Sequence, residues 1–237
     1  QNFRLQKKNP ALILAKKHKG MVLPTPKHYG IGAKYNYYFS HMLNCIYDCR
    51  YCFLQGMFRS AHYILFVNYE DFIDEINSTL NKHASDNVHF FSGYDCDSLA
   101  LDSVSNFISD FLPFFENHQN ALIELRTKST QIKSLLQRSP ISNCIVAFSF
   151  TPNEIAKVLE HKTPSVSKRL EAIIELQKAG WKIGLRFDPL IYTKTFTKEY
   201  NELFDNIFSK IDLQLVHSIS LGSFRLLKGF FRKLEKL

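Results

Sequence analysis

At 237 residues the chain can bury a core without disulfide staples, and it has the size an α/β barrel occupies as one unit. A hydrophobic share of 45%, with 21 Phe and 11 Tyr, excludes disorder, and no apolar run approaches the ~20 residues that span a bilayer. Thirty Lys and Arg against 22 Asp and Glu give a net charge of +8, which permits a polyanionic partner without requiring one.

Residues 1–34 carry Lys16-Lys17-His18-Lys19 and three prolines by position 26, and predict an irregular basic N-terminal arm. The chain begins at Gln1, and residues 3–8 lack the apolar stretch of a signal peptide. The expectation is a cytoplasmic protein whose true start lies upstream. A strand over 35–40 leads into a cysteine loop, and 63–67 is an apolar run of strand size. Helical periodicity over 69–81 puts Phe72, Ile73, Ile76 and Leu80 on one face. Then follow a strand over 87–92, a helix over 97–115, and strands over 121–127 and 144–150. A helix over 164–178 is N-capped by Ser165 or Ser167 and closed by Gly180. A strand over 181–187, a helix over 198–210, a strand over 216–221 and a helix over 228–237 complete the series. The chain stops inside that last helix, so a C-terminal part is expected to be missing. Strands separated by helices of this length predict βαβ units and a parallel sheet. Closed as a partial (β/α)6 barrel of TIM-like form, or left open and doubly wound, such a sheet carries its chemistry at the strands' C-terminal ends. Residues 35–237 read as one unit with no internal boundary.

Three of the five cysteines fall within eight residues, in Cys45-Ile46-Tyr47-Asp48-Cys49-Arg50-Tyr51-Cys52. An odd number in a chain without a secretory signal does not suit a disulfide framework. Structural zinc takes four ligands, usually as two separated pairs, and no second pair exists here. Three thiolates on one tight loop suit a [4Fe-4S] cluster with one iron left open, and weak zinc binding or a chance clustering of cysteines is the alternative. Of the other two, Cys144 sits in the apolar run Ile145-Val146-Ala147 and reads as core.

C-x3-C-x2-C with an aromatic before the last Cys resembles the radical S-adenosylmethionine (SAM) superfamily. The resemblance implies that the open iron chelates SAM and that its reductive cleavage releases a 5'-deoxyadenosyl radical. Tyr51 would then pack near the adenine. Further stretches resemble the spore photoproduct lyase family: Cys52-Phe53-Leu54-Gln55, Gly93-x3-Asp97-Ser98-Leu99-Ala100-Leu101, and Arg126-Thr127-Lys128-Ser129. So do Glu160-x2-Thr163-Pro164-Ser165-x3-Arg169-Leu170 and Gly180-x3-Gly184-Leu185-Arg186-Phe187-Asp188-Pro189. The family implies a DNA-repair lyase that reverses a thymine dimer, with Lys128 and Ser149 contacting SAM. Asp188 would face the SAM ribose or amine. Gly93 would let the backbone approach the methionyl group, and Asp95 or Asp97 would take the amino group in place of an absent Gly-Gly-Glu. An external electron donor such as flavodoxin or ferredoxin is implied as well. Glu160 and Arg169 read as a structural pair. Arg186 either lines the barrel or reaches the helix layer, and His217 reads as a hydrogen-bonded core histidine.

One departure concerns the family's hydrogen-donating cysteine. Counted back from Asp97, its position falls on Tyr94, and Cys96 lies two residues on. If the strand continues through this stretch, both face the same side. Tyr94 and Cys96 are therefore the candidate catalytic residues, and Cys96 as a small packed residue is the alternative. Three functions stay open: a lyase acting on DNA, a radical SAM paralogue with another nucleic-acid or small-molecule substrate, and a non-enzymatic metal-binding protein.

Overall fold

The computed structural model describes residues 3–27, 29–225 and 232. In chain order these form α1 (Phe3–Lys8), β1 (Leu12–Ala15), β2 (Val22–Pro24), β3 (Tyr35–Phe39), β4 (Met42–Leu43) and β5 (Asp48–Cys49). Next come α2 (Leu54–Met57), β6 (Tyr63–Phe66), α3 (Tyr69–Lys82), β7 (Val88–Ser92), α4 (Asp102–Ser105), α5 (Phe107–Glu116) and β8 (Ala121–Thr127). The remainder is α6 (Lys133–Leu136), β9 (Cys144–Ser149), α7 (Asn153–Leu159), β10 (Glu160–His161), α8 (Val166–Lys178), β11 (Lys182–Leu190), α9 (Phe196–Phe208) and β12 (Val216–Ser223).

The main sheet has seven strands in the order β12-β11-β9-β8-β7-β3-β2. Six are parallel and follow one another in chain order, each crossing over through helix to the next; β2 pairs antiparallel with β3 at the edge. The six strands expected from the sequence are therefore all present, and the sheet is open, since β12 and β2 do not pair. Two smaller sheets complete the fold, β1-β6-β4 and the antiparallel pair β10-β5.

Period-two alternation gives the main sheet two unlike faces. One carries Val88, Phe90, Ile123, Leu125, Val146, Phe148, Ile183, Leu185 and Phe187, which join Phe107, Phe111, Ile173 and Ile207 of the helices in the main core. The other carries His89, Phe91, Glu124, Arg126, Ser149 and Arg186, most of them buried. Arg186 thus lines the sheet's polar face and stays out of the helix layer. A Cβ on Gly184 would stand 2.7 Å from Arg186 Nη2, so this position is left bare for the guanidinium.

Three expectations change. The segment before residue 34 contributes a helix and two paired strands and so is not irregular; β2 closes the main sheet's edge and β1 pairs β6. The helix expected over 97–115 starts later and is broken. Asp97 accepts from the Leu99 and Ala100 amides at 3.0 Å, making a turn, and Asn106 sits at φ 51° between α4 and α5. His217 lies exposed on edge strand β12 and is not a core histidine. Elsewhere the expected signals hold: Ser165 caps α8, accepting from the Lys168 amide at 3.3 Å, and Gly180 beyond its end has φ 89°. The helix expected over 228–237 lies outside the described residues.

Candidate active site

At the C-terminal ends of the parallel strands lies a cavity of about 370 Å³. Cys45, Cys49 and Cys52 line it together with Tyr51, Gly93, Tyr94, Cys96, Asp97, Lys128, Ser149 and Asp188. One space therefore gathers all the candidate ligands and catalytic residues except Asp95. Asp95 is buried nearby, its backbone amide donating to Ser40 Oγ at 3.1 Å while its Oδ1 has no partner.

The cysteine loop is braced from both sides. β5 pairs with β10, Cys49 opposite Glu160, and the Arg50 amide donates to the Leu159 carbonyl at 2.7 Å. Buried Gln55 donates to the Cys49 carbonyl at 3.1 Å, and Lys7 of α1 reaches both Asp48 and Gln55. Burial pushes all three thiols above the ordinary range, Cys49 to about 12; for Cys49, neighbouring Lys128 opposes the shift and Glu160 and Cys52 add to it. Among the described residues no three His, Cys, Asp or Glu side chains are grouped as a single ion requires. The three thiols instead flank the cavity. Buried sulfur donors beside a void fit a polynuclear iron–sulfur group, whose iron would take the place of their protons.

The neighbouring side chains divide into those open to the cavity and those occupied in holding it. Tyr51 donates its hydroxyl to Glu160, and Lys128 Nζ lies 5.8 Å from the Tyr51 ring centroid. Asp97 Oδ1 accepts from Leu99 and Ala100 amides and from Thr127 Oγ1 (2.7 Å), while Oδ2 accepts from the Lys128 amide at 2.7 Å. Its carboxylate is thus a staple between the loop after β7 and the end of β8. Gly93, at φ 72°, is required by its own turn: a Cβ there would stand 2.5 Å from Ser98 Oγ and 2.9 Å from Ser98 N. Asp188, exposed at the rim, faces Gly222, where a Cβ would come within 2.5 Å of Asp188 Oδ1.

β7 ends at Ser92, so Tyr94 and Cys96 do not lie on a continued strand. Tyr94 joins an aromatic wall, with ring centroids 4.3 Å from Tyr38, 5.8 Å from Phe53 and 6.2 Å from Tyr29. Cys96 sits in a small apolar cluster with Met42 and Leu65 and against Tyr63, and burial pushes its thiol well up.

Glu124, behind the cavity wall, and Lys7, on it, were not anticipated. Glu124 is fully buried beneath two guanidiniums: Arg126 donates to Oε1 from Nε (3.0 Å) and Nη2 (2.8 Å), Arg186 to Oε1 and Oε2 at 3.1 and 2.7 Å. Arg126 also donates to the Tyr29 hydroxyl, and both line the cavity. The signal was available, because Glu124 and Arg126 alternate with Ile123, Leu125 and Thr127 on one strand. Lys7 left no local signal, as its partners lie more than forty residues away.

A family model described as spore photoproduct lyase matches residues 31–236. The spore photoproduct lyase of Bacillus subtilis (strain 168) is 24% identical over 193 residues, 81% of this chain and 56% of that protein. That of Clostridium acetobutylicum is 23% identical over 177 residues, 74% of this chain and 53% of the relative. The chain thus spans about half the length of these relatives. Among solved structures, a spore photoproduct lyase double mutant with bound AdoMet and dinucleoside spore photoproduct superposes with a TM-score of 0.87 at 20% identity, covering 99% of this chain and 67% of that one. Order, spacing and fold agree: the chain belongs to the spore photoproduct lyase family.

Proposed function

We propose that the chain is the SAM-binding part of a radical SAM lyase that repairs thymine-dimer lesions, as spore photoproduct lyase does. The observation that carries this is the convergence of Cys45, Cys49 and Cys52 with Lys128 and Ser149 on one cavity at the strand ends. A [4Fe-4S] cluster on the three cysteines, with SAM, supplies a 5'-deoxyadenosyl radical when bound. In this reading the main sheet is the wall of a partial (β/α)6 barrel and residues 1–34 are appended to it. Lys128 offers a point charge to the SAM carboxylate, with the Ser149 hydroxyl beside it. Asp188 waits at the rim for the ribose or amine. Tyr51 closes the adenine side with its hydroxyl fixed on Glu160. Gly93 shapes the loop through its backbone, and the Asp97 carboxylate anchors the Lys128 amide. Cys96 is kept as a protonated thiol by burial, and a hydrogen-atom donor requires an intact S–H bond. The substrate is DNA, the reductant an external protein such as flavodoxin or ferredoxin, and the compartment the cytoplasm.

A second reading, a paralogue with a different nucleic-acid or small-molecule substrate, is favoured by one observation. The Tyr94 ring stands in the aromatic wall, and Cys96 lies apart from it among Met42 and Leu65. Anaerobic reconstitution separates the readings. Roughly four irons per chain and dithionite-dependent 5'-deoxyadenosine formation are expected, together with thymine release from a dinucleotide lesion. Cys96→Ala is expected to divert the products to adducts, and Tyr94→Phe to leave product identity unchanged. SAM cleavage without lesion turnover supports the paralogue, and absence of SAM cleavage refutes both.

A further inference from the structure

Behind the cavity wall Glu160, the anchor of Tyr51, is paired with an arginine that has no role so far. Glu160 and Arg169 are both fully buried, and Arg169 Nη2 donates to Glu160 Oε2 at 2.5 Å. The other Arg169 donors go to neutral acceptors: Nε to the Pro164 carbonyl (2.9 Å), Nη1 to the Ser149 carbonyl (3.0 Å), Nη2 also to Thr163 Oγ1 (2.9 Å). Glu160 Oε1 accepts from the Tyr51 hydroxyl and from Thr151 Oγ1 at 3.0 Å. Lys128 stands on the cavity side of this pair, its Nζ 3.9 Å from Glu160 Oε1, an ion-pair contact too long for a hydrogen bond. A further carboxylate, Asp97, which accepts from the Lys128 amide, is already satisfied by four donors. Glu160, Arg169 and Lys128 together carry one positive charge in excess, and of the three only Lys128 lines the cavity.

We infer that Arg169 is a positioning residue whose charge and hydrogen bonds hold Glu160 and so leave the Lys128 ammonium's donors available to an anionic group in the cavity. On the function proposed above, on which this inference rests, that group is the SAM carboxylate. With Arg169 uncharged, Glu160 becomes a buried anion, and such a group is costly until it finds a cation. Lys128 is the nearest, and a movement of roughly 1 Å brings it to charge-assisted hydrogen-bond distance. The ammonium then turns inward and the cavity loses it.

The test is equilibrium binding of SAM to the anaerobically reconstituted, unreduced chain, with iron content and melting temperature measured on the same samples. Arg169→Gln is expected to weaken SAM binding about tenfold, or about 1.4 kcal/mol. Arg169→Lys keeps the charge but loses the planar fork, so it is expected to lower the melting temperature and hold the SAM Kd within about twofold. Glu160→Gln/Arg169→Gln, which removes both charges, is expected to restore binding to within about threefold of the parent. The inference is overturned if Arg169→Gln binds SAM normally, or if all three variants lose SAM in step with their melting temperatures. Should Arg169→Gln fail to fold, the other two decide: near-parent binding in both supports the inference, and loss in either overturns it. Lys128→Met separates the two layers. Normal SAM binding by it removes the role given to Lys128; weak binding by it, with normal binding by Arg169→Gln, removes only the role given to Arg169.

Discussion

Replacing Glu124 with Gln tests the buried charge network behind Arg126 of the cavity wall. Glu124 and Arg186 are both fully buried, and Arg186's remaining acceptors, the Leu185 and Ser218 carbonyls and Ser218 Oγ, are neutral. Gln keeps the shape and one oxygen but turns an amide toward guanidinium donors and leaves Arg186 without a counter-charge. Breaking a buried pair from one side costs about 3–5 kcal/mol. Arg126 is a quarter exposed and recovers part of its loss from water. A net loss of about 3–4 kcal/mol is therefore expected, against the roughly 5–15 kcal/mol that holds an ordinary domain. Urea unfolding of the cluster-free chain at neutral pH measures it, as a lower midpoint at unchanged slope. Adding Arg186→Met removes the stranded charge and is expected to recover about half of the loss. A loss under about 1 kcal/mol, or a double variant weaker than Glu124→Gln alone, refutes the reasoning. The acid limb gives a second check. Burial alone would raise the Glu124 carboxyl, but Arg126 and Arg186 reverse this and hold it at about 2. A depressed folded value means stability that is complete above the unfolded value near 4.5 and lost as pH falls toward 2. That is about 3 kcal/mol, and it should be absent from the Gln variant.

Gly93→Ala is expected to lower the melting temperature of the cluster-free chain by about 5–10 °C, from a strained positive φ plus the Ser98 contact; scanning calorimetry showing under 2 °C, roughly the cost of an ordinary surface change, counts against it. His89 and His41 are buried, and burial holds them at about 4 and about 3. Both stay neutral in the folded chain while the unfolded chain takes up protons below about 6.5, so stability should fall as pH drops from 6.5 toward 4. Urea midpoints at pH 7, 6 and 5 measure this, and His89→Phe should shallow the trend; an unchanged slope refutes the assignment.

The six parallel strands were legible because each is a short run of β-branched or aromatic residues between polar or glycine positions. The cysteine loop was legible because its spacing is local. The stretch after β7 was not. Residues 97–101 have helical composition, but the Asp97 carboxylate captures the amides of Leu99 and Ala100 and the end of β8, and that tertiary contact overrides propensity. The same contact occupies both oxygens of the Asp97 carboxylate. His217 went astray because alternation on a strand does not reveal which strand is the edge, and β12 is the edge. The Glu124 network was legible only in part. Two like-facing charges on one strand mark a polar wall, but their partner Arg186 lies 62 residues away.

The short pairing of β5 with β10 also has a consequence for how the protein matures. Cys49 is aligned by Glu160, and Tyr51 is tethered to it across 109 residues of chain. Contacts of such separation form late in folding, and on a ribosome residue 160 emerges well after the cysteines have left the exit tunnel. Until then Cys45, Cys49 and Cys52 belong to an unbraced loop. The loop that carries the three cysteines is therefore braced only once the chain has been made past β10, and in any shorter nascent chain they lack that support.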